Sequence, residues 1–134
     1  MPAPVDTQRR LHRRLGLWLA YWMLLFGIMH TPVQGVGSSH FRYADKLAHF
    51  SLYALLAAFA AAYRRERRGR LTAGNLALWA VIFAAYGAFD EWSQQFVHRN
   101  MSFYDWLADV SGVLAATVVV WRWRRKLSEP PRSL

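Results

Sequence analysis

Four apolar runs, bracketed at every second boundary by clusters of arginine, constrain this chain more than any other feature. The runs are LGLWLAYWMLLFGIMH (15–30), LAHFSLYALLAAFAAAY (47–63), LTAGNLALWAVIFAAYGAF (71–89) and FYDWLADVSGVLAATVVVWRW (103–123). At a helical rise of about 1.5 Å per residue each approaches the length that crosses a hydrocarbon core, the first two at the short end. Arg9, Arg10, Arg13 and Arg14 precede the first run; Arg64, Arg65, Arg67, Arg68 and Arg70 fill the gap after the second; Arg122, Arg124, Arg125, Lys126 and Arg132 follow the last. Only Arg42, Lys46 and Arg99 lie elsewhere. A formal charge of +9 would by itself suit a nucleic-acid partner, but basic residues that punctuate apolar segments follow the positive-inside pattern of a multi-span membrane protein. Nucleic acid is therefore excluded as the partner.

The expected fold is an all-α membrane protein, a four-transmembrane-helix bundle with both termini cytoplasmic. Residues 1–14 read as a basic N-terminal segment, 15–123 as the transmembrane domain, and 124–134 as a basic, disordered tail; the start, MPAPVDTQ, also reads as disordered. The first run resembles a signal peptide but is followed by no small-residue cleavage site, so it reads as a retained helix. Trp18, Trp22, Trp106, Trp121 and Trp123 lie near segment ends, where an amphipathic ring suits the membrane interface. The chain has no cysteine, which removes disulfides, thiolate metal sites and cysteine nucleophiles.

The two loops without arginine clusters, about 31–45 and 91–103, then face outward, and the polar residues sort with them. Asp45, Asp90, Glu91, Asp105 and Asp109 lie at or near that side, as do His30, His40, His49 and His98. Counting back from the cytoplasmic ends puts His49 roughly 22 Å and Asp109 roughly 20 Å from the inner boundary, and Glu91 roughly 31 Å, for straight helices. In a core about 30 Å thick these residues share the outer leaflet or its surface. Asp45, His49 and Tyr53 recur every four residues and line one face of the second helix; Asp105, Asp109 and Gly112 line one face of the fourth. Glu91, Gln94 or Gln95, and His98 make a stripe if the third helix continues past Asp90. Asp45 also reads as a cap for the second helix, and of the pair Asp90–Glu91 the second is the better site candidate. Charges at membrane depth cost about 2.5–3.5 kcal/mol each on insertion scales, so they normally face protein or water and mark function. Small residues in ALLAAFAAA, AAYGAF and SGVLAAT let the helices approach closely enough to share such a site. His49, Glu91, Arg99, Asp105 and Asp109 are accordingly expected around one outward-facing cavity.

DKLAHFSLYALLAAF followed by DEWSQQFVHRNMSFYDWLADVSG resembles the VanZ-like family of small bacterial membrane proteins. That family carries D-K-x-x-H-F-x-x-Y on one helix, then E-x-x-Q near an arginine, then an Asp with an Asp or Asn four residues on. The likeness covers about residues 41–116. It implies a multi-pass protein of the bacterial cytoplasmic membrane and singles out Asp45, Lys46, His49, Tyr53, Glu91, Gln94, Arg99, Asp105 and Asp109. The founding member is associated with low-level resistance to the glycopeptide teicoplanin. Family members often carry Pro just before the arginine, where this chain reads FVHR, and some carry Asn where Asp109 adds a carboxylate.

Two function classes remain open on the residues alone. In the first, the chain binds or processes an anionic lipid or lipid-linked envelope precursor. Lys46 and Arg99 hold the head group, with Tyr53, Gln94 and Asp109 lining the site, while His49 with Asp45, Glu91 or Asp105 serves as acid or base. A divalent metal ion on His49, Glu91, Asp105 and Asp109 is a subtype of this reading, although no tight ligand motif such as HExxH is present. In the second, the chain is a non-catalytic membrane module whose charged cluster joins the helices or alters envelope packing.

Overall fold

In the computed structural model the described residues are 5–31, 39–68, 72–97 and 99–128, and the elements among them are all helical. They are α1 (Val5–Met29), α2 (Ser39–Arg68), α3 (Ala73–Ser93) with a 3₁₀ turn at Gln94–Val97, and α4 (Phe103–Ser128). Three stretches are long and apolar enough to cross a membrane: Tyr43–Arg65, Ala73–Val97 and Phe103–Trp123. In α1 the apolar run begins only at Leu15, after Arg9, Arg10, Arg13 and Arg14.

The helices outrun the apolar segments that announced them. α1 starts at Val5, with Asp6 in its first turn, so the expected disorder of residues 5–8 does not hold. An acidic side chain near the positive end of the helix dipole favours that earlier start. At the other end α4 continues through Lys126 to Ser128, which shortens the expected disordered tail. α2 begins at Ser39, so Asp45 lies in its seventh position and is no N-cap. Hydropathy marks where lipid contact ends, whereas the backbone ladder continues through polar residues of good helical propensity. α3 starts on a true cap: the Thr72 hydroxyl accepts from the Asn75 N–H at 3.2 Å. It then runs past Asp90 to Ser93, which takes Glu91 out of the expected outer loop. His98, residues 32–38 of the first loop and the tail from 129 lie outside the described residues.

Packing centres on α2, which lies most extensively against α4 and also against α1, while α3 packs on α4. Gly112 permits the α2–α4 approach: a Cβ there would meet backbone atoms of Phe50 and Ala54. Ala57, Ala60 and Ala61 of α2 are buried beside it, as expected of small residues between close helices. Trp18, expected at the interface, is instead in the core. Its ring lies 5.7 Å from Tyr63, 5.4 Å from Trp22 and 5.4 Å edge-on from Trp79, holding α1 to α2 and α3. Tyr21 donates its hydroxyl to the Leu52 carbonyl at 2.8 Å, a second tie between α1 and α2.

The bundle is apolar outside and polar at one end of its interior. Only 28%, 22% and 22% of the three span windows is buried within it, and Leu47, Val81 and Val119 are largely exposed. Water would not tolerate so much continuous apolar surface, but acyl chains would.

Candidate functional site

Five parts of the chain converge at the end of the bundle away from the arginine clusters. α2 brings Asp45, His49 and Tyr53, each one turn from the next along a single face, with Lys46 next to Asp45. The end of α3 brings Asp90 and Glu91, its 3₁₀ extension brings Gln94, and α4 brings Asp105 and Asp109. Arg99 comes from the connection between α3 and α4, and the end of α1 brings Met29 and His30.

His49 is the centre. It is 1% exposed, its Nδ1 lies 2.9 Å from Asp109 Oδ1 and 3.7 Å from Glu91 Oε1, and Asp109 itself is wholly buried. Glu91 is 3% exposed and is aimed by two donors: the Ser102 backbone N–H reaches Oε2 at 2.9 Å, and the Gln94 side-chain amide reaches Oε1 at 3.3 Å. The inner polar layer is therefore one imidazole flanked by two carboxylates from two other helices. His49 Nε2 and Asp109 Oδ2 are buried and have no hydrogen-bond partner, which is costly unless a further group completes them.

The outer layer is a ring of ion pairs. Lys46 Nζ donates to Asp105 Oδ1 at 2.5 Å and stands over the Tyr104 ring, 5.8 Å from its centroid. Arg99 donates through Nη1 to the Met29 carbonyl at 2.7 Å, while its Nη2 is 3.7 Å from Asp45 Oδ1. A guanidinium on the last residue of α1 meets the negative end of that helix's dipole, so Arg99 ties α1 to the site as well as charging it. The Lys46 side chain is 39% exposed and that of Arg99 16%, so both remain accessible from the bundle's end. Ligand atoms of Asp45, His49 and Asp105 lie within 4.8 Å of one another, which puts both cations beside one spot.

A second buried group, which sequence reasoning set aside, lies on the other side of Tyr53. Asp90 is fully buried and accepts from the Tyr53 hydroxyl at 3.3 Å, with His30 Nδ1 3.7 Å from its other oxygen. His30 is held in turn by Ser93 Oγ at 2.8 Å. Tyr53 thus shares the His49 face as expected, but its hydroxyl serves Asp90. No family model, curated protein or solved structure matches this chain. The geometry alone therefore carries the assignment of roles.

Asp45, Lys46, His49, Glu91, Gln94, Arg99, Asp105 and Asp109 come together as expected, with one difference of form. The expected cavity around His49 is closed: the inner residues are in mutual contact and buried. A small apolar pocket lies instead among Ala57, Ala61, Leu76, Trp79, Phe83 and Val120, in the other half of the bundle. A ligand at the polar end must sit over Lys46, Asp45 and Arg99 or part them.

Proposed function

We propose that this chain is a VanZ-like membrane protein that crosses the bilayer four times, with both termini cytoplasmic, and that its polar end receives the anionic head group of a lipid or lipid-linked envelope precursor in the outer leaflet. Lys46 and Arg99 flank the head group. His49, oriented by Asp109, exchanges a proton with it, and Glu91 and Asp105 balance the charge that develops. The observation that carries this reading is the buried His49–Asp109 pair, with Glu91 beside it, directly beneath two accessible cations. A network built only for stability needs charge balance, and two carboxylates would match Lys46 and Arg99. This end holds five at considerable desolvation cost, which suggests separate tasks for the surplus.

The test is turnover of phospholipids and undecaprenyl-linked lipids by the full chain in vesicles, with His49→Ala and Glu91→Gln beside the parent. Both variants are expected to fold with activity down at least about 100-fold, the scale of a lost proton-transfer group. Resistance to teicoplanin in cells is expected to fall with it. Variants that fold poorly, with surviving protein as active as the parent, would dismiss the catalytic reading.

That outcome favours the second reading, a non-catalytic module, and one observation speaks for it: Arg99 and Lys46 already have intramolecular partners in Met29, Asp45 and Asp105. Arg99→Lys separates the two readings further. The bidentate fork is lost while a cation remains, so lipid binding is expected to weaken more than folded yield.

The topology has its own check. Reporters fused after Ser39 and Ser102 are expected to read as external, and those after Gly69 and Lys126 as cytoplasmic. An external signal after Gly69 would overturn the arrangement.

A further inference from the structure

The inner layer is short of positive charge. Among the residues whose side chains are described, the Lys and Arg at this end are Lys46 and Arg99, and they reach Asp105 and Asp45. The ion-pairing partner that Asp109 and Glu91 have is His49, and both are at least nine-tenths buried. We propose that His49, Glu91 and Asp109 hold a divalent cation through His49 Nδ1, Glu91 Oε1 and Asp109 Oδ1.

The distances suit it. Nδ1 is 2.9 Å from Asp109 Oδ1 and 3.7 Å from Glu91 Oε1, and the three ligand atoms lie within 4.8 Å of one another. Metal–ligand bonds of about 2.0–2.2 Å put neighbouring ligands roughly 3–3.5 Å apart, so the two pairs that involve Nδ1 need adjustments of a few tenths of an ångström. Two further features support it. Asp109 Oδ2 is buried without a partner, so this carboxylate has acceptor capacity to spare for a cation. Glu91 is held by the Ser102 N–H and the Gln94 amide, the kind of outer support that fixes a ligating carboxylate. One imidazole and two carboxylates, with no thiolate in the chain, suit Mn²⁺ or Zn²⁺ better than a soft ion. Three protein ligands leave positions for water or for an oxygen of an anionic head group.

This inference deepens the proposed function and rests on its reading of the site, with one change. Where the cation is bound, His49 is a ligand and the proton passes instead to or from water on the metal. Metal binding is read separately from turnover, so either can fail without the other.

The experiment uses the full chain in detergent, stripped with a chelator and titrated with Mn²⁺, bound and free metal being read by electron paramagnetic resonance. One Mn²⁺ per chain is expected, with a melting temperature that rises on binding. Glu91→Gln and Asp109→Asn are each expected to raise Kd at least about tenfold, and Asp45→Asn to leave it within about twofold. An unfolded variant leaves the parent's titration and melting shift to decide. No saturable binding by the parent overturns the proposal, as does parental affinity in both Glu91→Gln and Asp109→Asn. Loss on Asp45→Asn with retention on Asp109→Asn moves the cation to Asp45, His49 and Asp105 and equally overturns it. Saturable binding lost in the two inner variants, beside absent lipid turnover, sustains the metal site and sinks the lipid reading.

Discussion

Replacing Gly112 by leucine is expected to leave no folded protein. A Cβ at this position would lie 2.9 Å from the Phe50 carbonyl carbon and 3.1 Å from the Ala54 nitrogen, with the Phe50 carbonyl oxygen closer still. These are backbone atoms of α2, and they cannot rotate aside as a side chain can. Any larger residue must push α2 from α4 along the most extensive packing in the bundle. The same displacement would separate Lys46 from Asp105 and His49 from Asp109, because both pairs bridge these two helices. A cost of at least about 4 kcal/mol is expected, in the range reserved for severe overpacking. Even Gly112→Ala should lower the yield of monodisperse protein in detergent. Gly27 is the control: nothing lies within 4 Å of a Cβ there, so Gly27→Ala should be neutral or stabilising by up to about 1 kcal/mol. Gly87 lies between the two, since its neighbours are the side chains of Asp109, Trp106 and Tyr53 at 3.3–3.4 Å. Equal melting temperatures for Gly112→Leu and Gly27→Ala would contradict the close α2–α4 approach.

Periodicity made much of this legible before any coordinates. Residues four apart on a helix share a face, so Asp45, His49 and Tyr53 could be put together, as could Asp105, Asp109 and Gly112. The sequence could not say which faces meet. That Asp109 takes His49 while Asp105 takes Lys46 depends on the rotation and height of α4 against α2, which Gly112 sets through contact with the Phe50 backbone. In the sequence Asp90 is the weaker candidate because it precedes Glu91, the better motif match, and two adjacent helical residues point about 100° apart. Both nevertheless point inward, Glu91 towards His49 and Asp90 towards Tyr53 and His30, because α3 is in contact with different partners on its two flanks. One signal was available: Gly87, Asp90, Glu91 and Gln94 form a small-or-polar stripe at helical spacing in an otherwise apolar segment. The Arg99 contact had none, since its acceptor is the backbone carbonyl of Met29. Trp18 misled for a related reason. A Trp near a segment end suits the interface by chemistry, but α1 turns this one onto Tyr63 and Trp79.

Removing both members of the His49–Asp109 pair is expected to cost less than the sum of the two single losses, and the two single losses should differ. With His49→Leu, Asp109 Oδ1 loses the donor at 2.9 Å, while its Oδ2 already lacks one, and Glu91 loses its imidazole neighbour at 3.7 Å. Asp109 is then left buried without a donor, and Glu91 keeps only the Ser102 N–H and the Gln94 amide, so the expected cost is about 3–5 kcal/mol. With Asp109→Leu the imidazole keeps Glu91 within a small movement of Nδ1, so the cost should be nearer 1–3 kcal/mol, the range for a buried polar group deprived of its partner. The double variant should be less destabilised than the sum of the singles by at least about 1 kcal/mol, since the second substitution removes the charge that the first had orphaned. Melting temperatures and denaturant midpoints in detergent give the four corners of the cycle. Additivity within about 0.5 kcal/mol would mean that the 2.9 Å contact carries no coupling. The cycle also bears on function. An apolar pair in a stable bundle has neither a base nor a metal ligand, so the double variant should fold better than His49→Leu and still show neither lipid turnover nor Mn²⁺ binding. Recovery of activity together with stability would instead make this cluster a joint between helices.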